Sequence, residues 1–227
     1  MTPADHPLTR RQLIAATGAL GLGAGALTLV GCGGETTTST SGASADAGAC
    51  VLTPEQTEGP FYAADSMIRR DIAEGRPGVP LELRLRVQDA SSCEPIRDAT
   101  VEVWHTDAAG EYSGIEDDAT FMRGGQRSNA DGQVTFRTVY PGWYQGRTTH
   151  IHVKVHAGGD EVHTGQLYFD DAATAAVVRR EPYAARGEPE TTNASDGIYG
   201  DGGDRSTLAL KRGGGGYVGR LALGVRT

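Results

Sequence analysis

Apolar and polar side chains alternate from Pro80 to Gln88, so that aliphatic residues face one way and charged or amide residues face the other. This period of two is typical of a β-strand with one buried face. Four more short segments, rich in apolar or β-branched residues, predict further strands: Thr100–Trp104, Gln133–Val139, His150–Val155 and Glu161–Phe169. The turn-forming residues 129–132 (Asn-Ala-Asp-Gly) come directly before one of these segments, as expected for a hairpin.

One segment favours a helix, from Asp170 to Arg180, because it begins with an aspartate, is rich in alanine and precedes Pro182. Residues 181–204 are rich in Gly, Asp, Glu and Pro, and they predict a loop. Thr207–Leu210 and Tyr217–Leu223 predict a terminal hairpin across a run of glycines. Short strands separated by turns indicate an all-β fold, a β-sandwich with one short helix and long loops.

Residues 1–31 have the composition of a signal peptide, with Arg10 and Arg11 ahead of an apolar, Gly/Ala-rich run. The paired arginines favour the twin-arginine export route, with the ordinary secretory route as the alternative. Residues 29–32 (Leu-Val-Gly-Cys) resemble a lipobox, which predicts a lipid anchor at Cys32. Residues 32–49 then form a Gly/Ser/Thr/Ala-rich linker, and residues 50–227 form one domain. We therefore expect an exported protein on the extracellular face, lipid-anchored or secreted.

The charge of the chain and its cysteines indicate which partners and which redox environment to expect. A formal net charge of −8 and the lack of a long basic patch argue against nucleic acid as a partner. Membrane contact is expected only through Cys32. Cys50 and Cys93 are the two cysteines that remain, and in an exported protein such a pair predicts a disulfide.

The candidate chemistry is concentrated between Gly142 and His152, where Tyr144, Arg147, His150 and His152 follow one another closely. On a strand, His150 and His152 project from the same face, which makes them a ready pair of metal ligands. A tyrosinate is a hard, anionic donor that favours an oxidised metal such as Fe(III).

Five ordered motifs carry a resemblance to a known family. Residues 104–114 read W-H-x-D-x-x-G-x-Y-S-G, residues 141–144 read P-G-W-Y and residues 147–152 read R-x-x-H-I-H. Residues 53–62 (T-P-E-Q-T-E-G-P-F-Y) and 164–169 (T-G-Q-L-Y-F) complete the set. In this order they resemble the intradiol ring-cleavage dioxygenases, non-haem Fe(III) enzymes that split catechols between the two hydroxylated carbons. The resemblance covers residues 50–169.

The resemblance implies a β-sandwich with one Fe(III) per chain and a reaction in which a catechol and O2 give a cis,cis-muconate. Its implied metal ligands are Tyr112, Tyr144, His150 and His152. By the order of the motifs, Tyr144 is the ligand that the catechol displaces, and it takes up a catechol proton. Arg147 and Gln166 match the family's catalytic positions, where they would stabilise charge that develops on the ring.

Two other functions stay open at this point. Residues 92–144 also resemble transthyretin-like and carboxypeptidase-regulatory-like sandwiches, which would make the chain a non-catalytic binding module. A zinc hydrolase is disfavoured, because no carboxylate or third histidine completes the expected ligand set. His105, His156 and His163 match no motif role and are expected to be structural or solvated, with His105 a hydrogen-bonding partner near a turn. The sequence leaves the particular catechol and the oligomeric state open.

Overall fold

The structure is a computed structural model, and it describes residues 51–64 and 67–227. The signal peptide, Cys32, the linker and Cys50 lie outside the described residues, so the export route, the lipid anchor and the Cys50–Cys93 disulfide stay predictions. No helix in the described part of the chain is long and apolar enough to cross a membrane.

Eight strands form two four-stranded sheets. The strands are β1 (Pro80–Asp89), β2 (Thr100–Trp104), β3 (Arg123–Arg127), β4 (Gln133–Val139), β5 (His150–Ala157), β6 (Asp160–Tyr168), β7 (Ala209–Gly213) and β8 (Gly216–Val225). One sheet has the order β4-β1-β8-β7 and the other has the order β3-β2-β5-β6. All neighbours pair antiparallel except β1 and β8, which run parallel.

Side chains from both sheets form one hydrophobic core, which confirms the predicted β-sandwich. The alternation in β1 directs four buried aliphatic side chains inwards: Leu81, Leu83, Leu85 and Val87. From the other sheet, Val101, Val103, Ile151 and Val153 meet them and are equally buried. Because every second residue of a strand faces the core, the residues between them project outwards, and on β5 these include His150 and His152.

The terminal hairpin is confirmed, with β7 and β8 joined by Gly214 and Gly215. Both glycines have positive φ, at +59° and +78°, as a tight two-residue hairpin turn requires. The predicted helix is shorter than expected, since α1 spans Asp171–Val177. The predicted loop contains short 3-10 helices, Tyr183–Arg186 and Asn193–Ser195, and runs into a third, Gly203–Ser206.

Strand β3 was not predicted from the sequence. Its residues, Arg-Gly-Gly-Gln-Arg, show no alternation of apolar and polar side chains. A tertiary contact explains the first glycine, because a Cβ at Gly124 would lie 2.6 Å from Cγ2 of Ile72. The glycine therefore allows the segment that contains Ile72 to pack closely against β3, and no local sequence pattern reveals this contact.

Candidate metal centre

Two histidines of β5 form the centre of the candidate site. The Nε2 atoms of His150 and His152 are 3.2 Å apart, and both rings are almost completely buried. In the register of the sheet, His152 is paired with Trp104 on β2 and with Gln166 on β6. Its ring stacks on the Trp104 indole, with centroids 4.9 Å apart and planes 8° from parallel. Strand geometry and stacking together aim both imidazoles at one point.

The hydrogen bonding of His150 leaves its Nε2 lone pair available. Its Nδ1 lies 2.7 Å from the carbonyl oxygen of Thr148, which can accept only from a protonated Nδ1. Burial, followed by the nearby charge of Arg147, lowers the pKa of His150 to about 3. Burial and the neighbouring His150 also hold the pKa of His152 well below its ordinary value. Both rings are therefore neutral, which is the form that binds metals.

Two tyrosines from separate loops complete the cluster. The Tyr144 hydroxyl lies 3.2 Å from Nε2 of His150. The Tyr112 ring is centred 5.9 Å from the Tyr144 ring and 6.1 Å from the His152 ring. The Tyr112 hydroxyl is buried beside the Tyr144 hydroxyl, and it makes no hydrogen bond of normal geometry to any residue that the structure describes. A buried hydroxyl without a partner is costly, so this atom points to a missing partner in the site.

The two phenols are held neutral by their surroundings. Burial, followed by the adjacent Tyr144, raises the pKa of Tyr112 far above its ordinary value. Burial also raises the pKa of Tyr144, although the nearby Arg147 opposes the shift. A bound cation would reverse this balance, because a coordinated metal is the largest local charge in a site.

This donor set fits a trivalent iron. Two neutral imidazole nitrogens and two phenol oxygens from Tyr112 and Tyr144 would supply four ligands, and phenolate favours an oxidised, hard metal. In the described ranges, no group of three or more His, Cys, Asp or Glu residues could hold a metal ion.

Arg147 lies next to the cluster, where its side chain is 15% exposed. Its Nε donates to Oδ2 of Asp196 at 2.9 Å, and one terminal nitrogen donates to Oε1 of Gln166 at 2.5 Å. Gln166 is oriented further by Tyr168, whose hydroxyl donates to the same Oε1 at 3.1 Å. The structure thus brings Arg147 and Gln166 together, as their motif positions suggested.

Asp196 is a site residue that the sequence did not reveal. Its carboxylate accepts hydrogen bonds from Arg147, from the Thr148 amide at 2.8 Å and from the amides of Ile198 and Tyr199 at 2.8 and 3.1 Å. Burial alone would raise the pKa of Asp196, but these amides and Arg147 lower it. Asp196 is therefore a buried anion that fixes the guanidinium. Asp196 lies in the predicted loop, which contains several acidic residues, and no sequence pattern distinguishes the one that contacts Arg147.

Residues 53–62, which we call the cover segment, lie over the cluster. At Gly59, φ is +72° and an added Cβ would lie 3.3 Å from Cε1 of His152. Phe61 stacks on Tyr112, with ring centroids 4.3 Å apart. The segment therefore shields the two rings from solvent, and glycine at position 59 allows the close approach.

Polar contacts hold the cover segment in place. Gln166 donates from Nε2 to the Thr57 carbonyl oxygen at 3.0 Å. Lys154, on the same face of β5 as the two histidines, forms ion pairs with Glu58 and, at 3.0 Å, with Glu161. The Lys154 side chain is only 5% exposed, so the cover segment buries a face of β5 that alternation alone leaves open to water.

The remaining histidines lie outside the cluster. His105 is buried, with Nδ1 2.7 Å from the Thr106 carbonyl oxygen and Nε2 2.8 Å from Oγ1 of Thr138, which confirms its predicted hydrogen-bonding role. His163 is buried, and burial lowers its pKa to about 4. His156 is partly exposed and lies 3.9 Å from a Glu102 oxygen.

A cavity of about 400 Å³ borders the Tyr144 side of the cluster. Its wall combines aromatic, amide and charged side chains: Trp143, Tyr144, Gln145, Arg186, Glu188, Glu190 and Thr191. Tyr144 is only partly buried, and the next two residues are exposed. Of the two tyrosines, Tyr144 is therefore the one that lines this solvent-connected cavity.

The chain is similar to known proteins both in sequence and in fold. A family model described as Dioxygenase matches residues 57–178, which is more than half of the chain. A solved intradiol ring-cleavage dioxygenase from Tetranychus urticae is 34% identical with a TM-score of 0.75, and the match covers 78% of this chain and 95% of that one. The dioxygenase domain of a carbohydrate-binding fusion protein from Streptomyces sp. SirexAA-E is 33% identical with a TM-score of 0.62, covering 78% and 99%.

Curated relatives match over shorter stretches. Catechol 1,2-dioxygenase 2 of Acinetobacter lwoffii is 34% identical over 153 residues, 56% of this chain and 55% of that protein. Chlorocatechol 1,2-dioxygenase of Cupriavidus pinatubonensis is 29% identical over 147 residues, covering 50% and 53%. The chain thus spans about half the length of the curated relatives it matches. With the family model, the fold and the ordered motifs in agreement, the chain belongs to the intradiol ring-cleavage dioxygenase family.

Proposed function

We propose that this protein is an Fe(III)-dependent dioxygenase that cleaves a catechol-type ring between its two hydroxylated carbons, with O2 as co-substrate and a cis,cis-muconate as product. The observation that carries the proposal is the convergence of two neutral imidazoles and two phenols, one of which has a buried hydroxyl that makes no hydrogen bond of normal geometry within the described residues. A binding module of the same fold has no need of these residues. Family membership supports the enzyme over that alternative.

Tyr112, Tyr144, His150 and His152 would hold one iron per chain. When bound, Fe(III) would supply Lewis-acid chemistry that draws electron density from a catechol ring and makes a ring carbon reactive towards O2.

Tyr144 is proposed to move a proton. Tyr144 lines the solvent-connected cavity, so its side chain can leave the ligand set when a catechol enters and accept one catechol proton. The more enclosed Tyr112, which is stacked under Phe61, stays in place. Tyr144 would thereby assist the ionisation of the catechol, whose hydroxyl groups have pKa values far above neutral pH.

Arg147 and Gln166 would stabilise the negative charge that develops on the ring. Asp196 and Tyr168 orient them before substrate arrives, so little reorganisation is needed during the reaction. The cover segment keeps bulk water away from this side of the site, which strengthens these electrostatic contacts.

An oxygen-uptake assay with a panel of catechols tests the proposal and narrows the substrate. The panel includes catechol, protocatechuate, hydroxyquinol and larger plant-derived catechols, each with protein of measured iron content. We expect uptake with at least one catechol, in proportion to bound iron. Iron-loaded protein that consumes no oxygen with any of them would contradict the proposal.

We further propose that the chain is exported and anchored by a lipid at Cys32, with Cys50 and Cys93 joined by a disulfide. The support is the sequence pattern of residues 1–50. Mass spectrometry of the membrane fraction of the native host tests both points. A free thiol at Cys93 after export, or a mature chain that begins elsewhere than Cys32, would contradict them.

A further inference from the structure

The outer face of the β4-β1-β8-β7 sheet carries a groove of about 640 Å³. Five basic side chains line it: Arg84, Arg86, Arg205, Lys211 and Arg220. Within residues 51–64 and 67–227, no acidic side chain lines this groove. In a chain of formal net charge −8, the face has the opposite sign to the molecule as a whole.

Most of this positive charge is not compensated by the protein. Arg84 forms an ion pair with Glu82. The other four basic residues form no ion pair with any residue that the structure describes. The Nε atom of Arg86 is buried and finds no hydrogen-bond partner in the same ranges. The groove therefore offers an external anion four basic side chains that have no ion-pair partner among the described residues.

The register of the sheet places two of the arginines side by side. Arg84 on β1 is directly paired with Arg220 on the parallel neighbour β8. Like charges directly opposite each other on adjacent strands destabilise a sheet. An oxyanion between them would remove this repulsion, and guanidinium groups recognise phosphate oxygens with bidentate geometry.

The chain enters the domain at this same groove. Val51, the first described residue, lines it. The next residue, Leu52, forms a bridge with Gly224 of β8, and the Thr53 amide donates to the Gly224 carbonyl oxygen at 2.9 Å. The predicted linker, of Gly/Ser/Thr/Ala-rich composition, separates Val51 from Cys32. Cys32 lies 19 positions before Val51, a chain length that spans about 65 Å at most, so a lipid at Cys32 would keep the groove within that distance of the bilayer.

We propose that this basic groove binds the headgroups of anionic phospholipids and holds the domain against the membrane. The proposal rests on the proposed anchor at Cys32 and not on the proposed ring cleavage. Salt limits the reach of exposed charges to about 8 Å under physiological conditions, so the local patch outweighs the distant acidic residues.

Docking through this groove leaves the candidate metal centre facing away from the bilayer. The groove lies on the face of β1 opposite its core-facing leucines, and His150 and His152 lie on the face of β5 opposite the core-facing Ile151. The two sites are therefore on opposite outer faces of the sandwich. A docked enzyme would receive catechols from the aqueous side.

Vesicle co-sedimentation of the full chain, produced without lipidation, tests the groove. Binding is compared between vesicles of phosphatidylcholine alone and vesicles with about one third phosphatidylglycerol, which separates the groove from any apolar binding by residues 1–50. Each basic side chain near an anionic surface contributes about a fivefold preference. The triple variant Arg84→Gln, Lys211→Gln, Arg220→Gln should lower the preference for anionic vesicles by roughly 100-fold.

A matched control removes the same charge elsewhere. The triple variant Arg97→Gln, Arg127→Gln, Arg179→Gln changes exposed arginines that do not line the groove, and it should keep most of the anionic preference. An equal loss in both variants would show an effect of net charge and overturn the proposal. Binding of wild-type protein to soluble polygalacturonate but not to anionic vesicles, or no preference for either, would also overturn it. Oxygen uptake with a catechol, measured on the same samples, should be unchanged in both variants, so a failure of the proposed chemistry is seen separately.

Discussion

Replacing Arg147 with alanine should slow turnover far more than it lowers iron content. Arg147 donates hydrogen bonds to Asp196 and Gln166, and it also interacts with the hydroxyl of Tyr144, the ligand that is proposed to leave when a catechol binds. The loss of one preorganised donor to a developing anion typically lowers the rate by roughly 10²–10³, or about 3–4 kcal/mol in the barrier. Folding should survive, because Asp196 keeps three amide donors and Gln166 keeps the Tyr168 hydroxyl. The lost charged hydrogen bonds should cost about 1.5–3 kcal/mol each, within the usual stability of a domain.

The assay for this variant combines iron analysis, steady-state oxygen uptake and thermal unfolding on one preparation. Arg180→Ala is the matched control, because its guanidinium also donates a hydrogen bond, to the Gly215 carbonyl oxygen at 3.2 Å, but it lies outside the site. The control should retain both iron and turnover. If Arg147→Ala stays within threefold of wild-type turnover at equal iron content, the proposed electrostatic role of Arg147 is wrong.

Three further predictions follow from other contacts. Tyr112→Phe should lose iron and the visible colour that depends on it, because the ring can still stack but position 112 no longer supplies a phenolate. Tyr199→Phe should keep both, and full iron occupancy in Tyr112→Phe would remove Tyr112 from the ligand set. Gly59→Ala should lower iron affinity, because φ is +72° there and the new Cβ would press on His152, a proposed ligand. Gly158→Ala is the control, since Gly158 has a similar φ but lies in open space; it should lower only the stability of the fold, by about 1–2 kcal/mol. Burial lowers the pKa of His163 from 6.5 to about 4. The neutral His163 therefore adds about 3 kcal/mol to the free energy of unfolding above pH 6.5, and this stability is lost as the pH falls towards 4. Melting temperatures between pH 7 and 4 should therefore fall less steeply in His163→Gln, and equal slopes would contradict this assignment.

Local patterns were sufficient for most of the sandwich. The alternation in β1 and the apolar segments of β2, β4, β5 and β6 place side chains on defined faces, because a strand has a fixed period. The motif spacing likewise brought His150, Arg147 and Tyr144 close together, since they are near in the chain. β3 escaped prediction because Gly124 reflects a contact with a residue far away in the sequence.

Long-range contacts also explain what was missed around the site. Asp196 lies 49 positions from Arg147, and no pattern in its loop distinguishes it from the neighbouring acidic residues. Lys154 lies on the face of β5 that points away from the core, yet the cover segment and its Glu58 bury that side chain. In both cases a charged group is satisfied by a partner that only the folded chain brings near.

The central claim, intradiol ring cleavage at an iron centre, is tested most directly by isotope labelling. Protein with a measured iron content is incubated with the best catechol from the panel under ¹⁸O2, and the product is analysed by mass spectrometry. Cleavage by a dioxygenase adds both atoms of O2 to the catechol, so we expect a ring-opened dicarboxylic acid that is four mass units heavier than the unlabelled acid, formed in proportion to bound iron. An unopened quinone, or a product without ¹⁸O from protein that holds one iron per chain, would contradict the account.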